Sequence, residues 1–320
     1  IRLRHNTKNM KMIIQKAFLC MMICLTLHAG IWNNPHSKEK SASNTLFSSF
    51  SLSPKSLDPV VSYNSNEWAF IGQIYEPPLQ YNYLQRPYKL EPLTLIKMPT
   101  IRYLDIERQE VDENDERVTF SEYRLELRKD VRYQDHPAFA KDAKGDLLYR
   151  ALSEKALEKI ETLDDFKEKD TRHLLAEDYA YAIKRMGVRQ NHSPILDTMQ
   201  SYIVGLKDFS KRLTEIAKLK KAEGEFLDLR AYDIAGVKVL DDHTLIIEIQ
   251  GKYPQFLYWL TMNFFAPIPW EADLFYQQKG LVAKNLTLNW YPVGTGPYYL
   301  AENNPNKQMR LVKNPNFHDE

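Results

Sequence analysis

Tyr291-Pro292-Val293-Gly294-Thr295-Gly296-Pro297-Tyr298-Tyr299-Leu300 is followed, after an Asn/Pro turn, by Met309-Arg310-Leu311-Val312-Lys313-Asn314-Pro315-Asn316-Phe317. Two glycines and a proline fix a tight backbone path. The residues after them read as a strand, a turn and a second strand. Gly294 and Gly296 lack the third glycine of a dinucleotide loop and follow no βαβ pattern, so a nucleotide site is not indicated. The chain stops at Glu320, where such a unit should lead onward. It is therefore expected to be incomplete.

Working back toward the N-terminus, Val237 to Ile249 reads as a hairpin turning at Asp241-Asp242, with Leu245, Ile247 and Ile249 on one face. Tyr123, Leu125 and Leu127 alternate with Arg124, Glu126 and Arg128, the pattern of a half-buried strand that Val131 and Tyr133 continue. Leu175 to Met186 places Leu175, Tyr179, Ala182, Ile183 and Met186 on one helical face, and Arg212 to Phe226 reads as a charge-rich helix. Trp68, Ile71 and Tyr75 give Asn66 to Tyr75 a one-sided helix that Pro77-Pro78 ends. Ala151 to Phe166 has helical periodicity within a highly charged stretch. Asn33 to Ser51 is polar and reads as a flexible lead-in.

The 43 basic and 42 acidic residues leave a net charge of +1, without the basic excess a nucleic-acid surface wants. Aromatic residues make up 12 %, including 19 Tyr and 5 Trp, which suit either a well-filled core or an amphipathic cleft. No His-Glu-x-x-His, Gly-x-Ser-x-Gly elbow or Walker loop is present, so neither catalysis nor a metal or other cofactor is expected. Asp241-Asp242-His243 reads as a solvated turn rather than a metal cluster.

Residues 10–30 read as a signal peptide. Lys11 and Lys16 form its cationic part, Ala17 to Leu27 its apolar part, and Ala29 or Gly30 offers a cleavage site. The apolar stretch is short of the about 20 residues of a membrane span. Cys20 and Cys24 both lie inside it. Leu19 and Ile23, which precede them, are not the small residues a lipoprotein signal wants, so lipidation is not expected. The mature chain then has no cysteine, and a domain with a sizeable core needs no disulfide.

Five segments, in order, resemble the extracytoplasmic solute-binding proteins of peptide-type ABC importers, the oligopeptide/dipeptide-binding family (solute-binding family 5). Ser56-Leu57-Asp58-Pro59 looks like its opening "LDP". Gln73 to Leu79 looks like "IYEGLL", with Pro77 and Pro78 in place of Gly-Leu. Tyr123 to Asp135 resembles "YTFTLRKGVKFHDG", with His136 where the family has glycine, which leaves the local turn type open. Val237 to Ile249 is close to "VKALDDHTFEVTL", and Tyr291 to His318 resembles "PxGTGPY" through "RNPxYW", with Lys313, Phe317 and His318 replacing Arg, Tyr and Trp. Leu175 to Arg185 is similar to the family's "TAEDVVYSIKR" helix.

The resemblance implies a two-lobed α/β periplasmic-binding-protein fold of the class II type, with a discontinuous first lobe, an inserted small domain and a C-terminal lobe missing from this chain. Residues 52–91 would be the first visit to the large lobe and 92–250 the small domain, with a charged surface insertion near 140–173. Residues 251–320 would be the incomplete return. It implies a periplasmic monomer that captures a short peptide and delivers it to an ABC permease/ATPase complex in the inner membrane, with no role in catalysis or nucleic-acid binding. The same fold could instead take a nickel chelate, haem, a murein peptide or an oligosaccharide, or serve as an envelope sensor or chaperone. Glu76, with Tyr75 beside it, would face the ligand at the cleft between lobes, and Ser193, Ile195 and Tyr202 would supply further ligand contacts. Thr295 to Tyr298 would be structural.

Overall fold

The computed structural model describes residue 16, residues 44–223, 225–304 and 306–319. The leader at residues 10–30, apart from Lys16, lies outside them. The chain divides into two compact units, residues 1–51 and 52–320. Residues 44–51 of the first carry no helix or strand.

The second unit is built on a five-stranded antiparallel sheet. Its strands are β3 (Thr100–Leu104), β4 (Glu110–Val111), β5 (Phe120–Glu126), β6 (Val237–Asp241) and β7 (Thr244–Gln250), in the order β4-β3-β5-β7-β6. Two hairpins stand apart from it, β1 (Leu79–Tyr81) with β2 (Leu90–Pro92), and β8 (Tyr298–Asn304) with β9 (Gln308–Lys313). The register of β5 on β7 sets Tyr123 opposite Ile247 and Leu125 opposite Leu245. These four side chains and Ile249 are almost completely buried, so the alternation read from the sequence is the alternation of the sheet. The same strands also bury Glu122 and Glu248, which alternation assigned to the other, wetter face.

The principal helices are α1 (Ser65–Ile74), α2 (Ala176–Gly187), α3 (Leu196–Tyr202), α4 (Leu206–Glu223) and α5 (Trp270–Tyr276). A capping box starts α1, in which Asn64 and Glu67 satisfy each other's end of the helix. Glu67 also accepts from Ser62 Oγ and Lys55 N–H. Burial alone would raise its pKa, yet these hydrogen bonds together hold it below the usual carboxylate value. The buried face of α1 is Glu67, Ile71 and Ile74, whereas Trp68 is 45 % exposed. The expected Trp68 face is therefore corrected: a polar residue took the inward position because it caps the helix.

A second correction falls between residues 140 and 173. The α-helix there is limited to Glu154–Leu157, and a short 3-10 turn follows at Leu163–Asp165. The chain is diverted into that turn where Asp165 Oδ2, in a capping box with Thr162, accepts the backbone N–H groups of Glu161 and Thr162 at 2.8 and 2.7 Å, bonds a continuing helix would not allow. The segment is not purely a surface feature, since Ile160 and Phe166 are buried. The Phe166 ring lies 5.1 Å from Phe275 and 4.9 Å from Tyr149, centroid to centroid.

Most of the buried apolar side chains form one cluster, running from Val60 and Leu79 through the sheet and α2 to Val293. A smaller cluster of Leu57, Ile71, Ile74, Tyr75, Ala266 and Leu300 joins α1 to the β8–β9 hairpin.

Candidate functional site

The Gly294–Pro297 turn sits on the C-terminal end of α1. The Gly296 N–H donates to the Ile74 carbonyl at 2.8 Å. A Cβ on Gly294 would lie 1.9 Å from that carbonyl oxygen, and one on Gly296 would lie 2.6 Å from the Gln73 oxygen. The left-handed glycines described are Gly145, Gly205 and Gly251, so Gly294 and Gly296 are required by close backbone approach and not by φ. Gln134 closes the other side: its N–H donates to Gly294 O at 3.0 Å, and its Oε1 accepts the Gly294 N–H at 3.2 Å. Buried Asn314 donates to Gly296 O and Pro297 O, at 2.9 and 2.8 Å. Stretches far apart in sequence thus meet at one corner.

Tyr75 and Glu76 lie in that corner. Tyr75 is buried, and its hydroxyl accepts the Val293 N–H at 3.3 Å. Burial, and then the nearby Asp58 charge, push its pKa up. Glu76 is 3 % exposed, and its backbone carbonyl accepts the Tyr179 hydroxyl of α2 at 3.2 Å. One carboxylate oxygen, Oε1, lies 2.8 Å from His318 Nε2, while Oε2 is buried with no hydrogen-bond partner. His318 Nδ1 lies 3.0 Å from Asp319 Oδ1. A carboxylate oxygen at each ring nitrogen favours the doubly protonated, cationic ring, which can donate to both. Burial pulls the His318 pKa down, but the Glu76 hydrogen bond and charge, with help from Asp319, outweigh it and leave it above the ordinary value.

The other three residues singled out from the sequence lie elsewhere. Ile195 is a core residue at the start of α3. Tyr202, at the end of that helix, stacks on Tyr253 with ring centroids 4.1 Å apart and planes 4° from parallel. Ser193 Oγ is buried without a hydrogen-bond partner. Among the described residues no hydrogen bond or ring contact joins these three to Tyr75 and Glu76.

His136, where glycine was expected, adopts extended backbone at φ −148° and caps the short helical turn Pro137–Phe139. The open question of the turn is answered by a buried side chain. Nδ1 accepts the Ala138 N–H at 3.1 Å, which leaves the proton on Nε2 to donate to the Tyr276 hydroxyl at 2.8 Å. Burial lowers its pKa to about 3, so it is neutral. Asp241 accepts the His243 N–H at 2.8 Å in the β6–β7 turn, and no group of three or more metal-ligating side chains occurs among the described residues. Nor is any described helix long and apolar enough to cross a membrane.

Sequence reading missed two ion-pair networks. Arg185 of α2 binds Asp58 through both terminal nitrogens, at 3.1 and 2.9 Å, and lies 3.2 Å from Asp273 of α5. Tyr181 donates to the other oxygen of Asp273 at 2.8 Å. Arg172 forks onto both Asp178 and Glu271 at 2.7–2.8 Å. The first network joins an Asp-Pro near the N-terminus to an Arg at the end of a helix, a pairing that no local periodicity signals. His318 was also missed, although its departure from Trp was visible.

Residues 119–320 match the family described as bacterial extracellular solute-binding proteins, family 5 Middle. The chain belongs to that family. A search of the curated proteins returned no match. Among solved structures, Listeria monocytogenes OppA bound to peptide aligns with TM-score 0.50 at 14 % identity, over 83 % of this chain and 38 % of its own. The pheromone receptor PrgZ aligns with TM-score 0.51 at 14 % identity, over the same 83 % and 38 %. The substrate-binding domain of an oligopeptide ABC transporter from Bacillus anthracis aligns with TM-score 0.50 at 16 % identity, over 83 % and 36 %. These likenesses establish the mixed α/β periplasmic-binding-protein fold. The chain spans under two fifths of the length of each of these structures.

Proposed function

We propose that this chain is part of an extracytoplasmic receptor that captures short peptides and passes them to a membrane ABC permease. The observation that carries the reading is the match of residues 119–320 to a solute-binding family, within a fold like that of OppA bound to peptide. Peptide backbone would add as a strand, giving affinity with little sequence preference, and lobe closure would mark the loaded state for the permease. The division at residues 91 and 250 belongs to the same proposal, and it is supported by the five-stranded sheet lying wholly between residues 100 and 250. A cleaved leader at 10–30 and release to the periplasm belong to it as well.

Glu76 is the ligand-facing candidate we favour, because its backbone is held by Tyr179 while its carboxylate keeps one buried oxygen unpartnered. Tyr75, Ser193, Ile195 and Tyr202 stay in the proposal as secondary candidates, with Tyr75 and Ile195 acting through packing. The test is calorimetric titration, with pools of two- to five-residue peptides, of the protein expressed from its complete reading frame. Saturable heat from the peptide pools supports the reading. Heat only with haem, a nickel chelate or an oligosaccharide moves the ligand class, and no heat with any solute removes the receptor assignment.

A further inference from the structure

The sequence puts a histidine at position 318, where the resembled family carries tryptophan, and the fold buries its imidazole completely. Its two ring nitrogens face carboxylates from opposite ends of the chain: Glu76, just after α1, at 2.8 Å, and its own neighbour Asp319 at 3.0 Å. The Phe317 ring lies 4.6 Å from the imidazole, centroid to centroid. Behind Asp319 stands Arg128, which donates to it at 3.3 Å and to Asp130 at 2.7 Å. From α2 the Tyr179 hydroxyl meets the Glu76 carbonyl. Upstream in the same segment, Asn316 donates to the Tyr133 carbonyl at 3.0 Å and to Asp135 at 2.8 Å. Residues 314–319 are thus fastened at four points: Asn314 on the glycine turn, Asn316 on Tyr133 and Asp135, His318 on Glu76, and Asp319 on Arg128.

Two of these fastenings use amides that do not titrate in the physiological range, and the Arg128 guanidinium stays charged throughout it. The His318 fastening does titrate there. We propose that His318 is a positioning residue forming a proton-dependent clasp, which in its cationic form pins the 314–319 segment and the Glu76 carboxylate to each other and releases both when the proton leaves. Loss of the proton leaves one ring nitrogen without a hydrogen to share, so Glu76 or Asp319 then faces a lone pair. When the proton lost is the one on Nε2, Glu76 keeps two buried oxygens and no donor, a state that favours opening to water. Arg128 opposes the charge on His318 but is itself engaged by Asp130 and Asp319, so the carboxylates dominate.

The direction comes from linkage. A histidine that binds its proton more tightly when folded stabilises the clasp fully below the free-histidine pKa of about 6.5. That contribution is lost as pH rises through the higher folded value. Each unit of separation between the two is about a tenfold change in local opening. The inference rests on this cluster alone and does not depend on which solute is captured.

The test is two-dimensional NMR of the imidazole resonances across pH 5 to 9, with amide hydrogen exchange of residues 314–319 corrected for intrinsic rate. The account expects His318 to titrate above 6.5, and the Phe317 N–H, which donates to Asn314 O, to lose protection tenfold or more as it does so. Glu76→Gln should drop the His318 titration and abolish the pH-dependent change in protection. His318→Gln should remove the pH dependence with the fold intact. A His318 titration at or below 6.5 in the unmodified protein, or protection that does not track it, overturns the clasp. The unmodified protein decides the matter even if a variant fails to fold.

Discussion

At the scale of single residues, buried ion pairs tie distant parts of the chain together. Asp58 is the partner of a fully buried guanidinium, and Arg185 meets a second carboxylate at Asp273. Such a pair is not a large net source of stability, because removing both charges from water offsets their attraction. Breaking it is different, since the remaining charge stays buried. Asp58→Ala should cost about 3–5 kcal/mol, read as a lower urea midpoint. Asp58→Asn, which keeps one acceptor for Arg185, should cost clearly less. The opening "LDP" was legible as a motif but its job was not. Its partner lies 127 residues away, and nothing local in a sequence encodes that distance. Glu76 was legible as a candidate because two prolines and a helix end hold its backbone. Its attachment to His318 was not, for the same reason of separation.

At the scale of elements, what periodicity and turn chemistry can express was readable. The β6–β7 hairpin and the inward residues of β5 follow from side-chain spacing, whereas α2, read as one-sided, is buried on nearly every side, Lys184 and Arg185 included. Reading failed where side chains competed with the helix for backbone N–H groups, as Asp165 does, and where a cap turned Glu67 inward. The glycine turn was read correctly as a structural device, though for an incomplete reason. Its glycines admit the end of α1, which only the assembled structure reveals. Gly294→Ala places a methyl against a backbone carbonyl that cannot rotate away, so α1 and the β8–β9 hairpin must separate. Its cost should reach or pass the upper end of the about 1–3 kcal/mol usual for overpacking. Thermal unfolding checks this, and a Tm within a degree of the parent would show that the close approach is not enforced.

At the scale of the whole molecule, two buried histidines bracket stability from opposite sides. His136 is neutral when folded, with its pKa held down to about 3 by burial. The unfolded chain takes up that proton near pH 6.5, so stability falls as pH drops below 6.5, by up to about 1.4 kcal/mol per unit until the folded value is reached. His318 works the other way, losing its contribution as pH rises through its elevated folded value. Urea midpoints measured from pH 5 to 9 should pass through a maximum near neutrality. His136→Gln, which retains a donor for Tyr276, should flatten the acid side between pH 6.5 and 5, above the range in which carboxylates titrate. An unchanged acid limb would mean that another group sets it. The central claim concerns what the molecule holds. Native mass spectrometry of the protein, expressed from its complete reading frame and purified from the periplasm without denaturation, tests it most directly. The account predicts co-purified masses that fragment as short peptides. A clean unliganded mass that added peptide mixtures leave unchanged would contradict it.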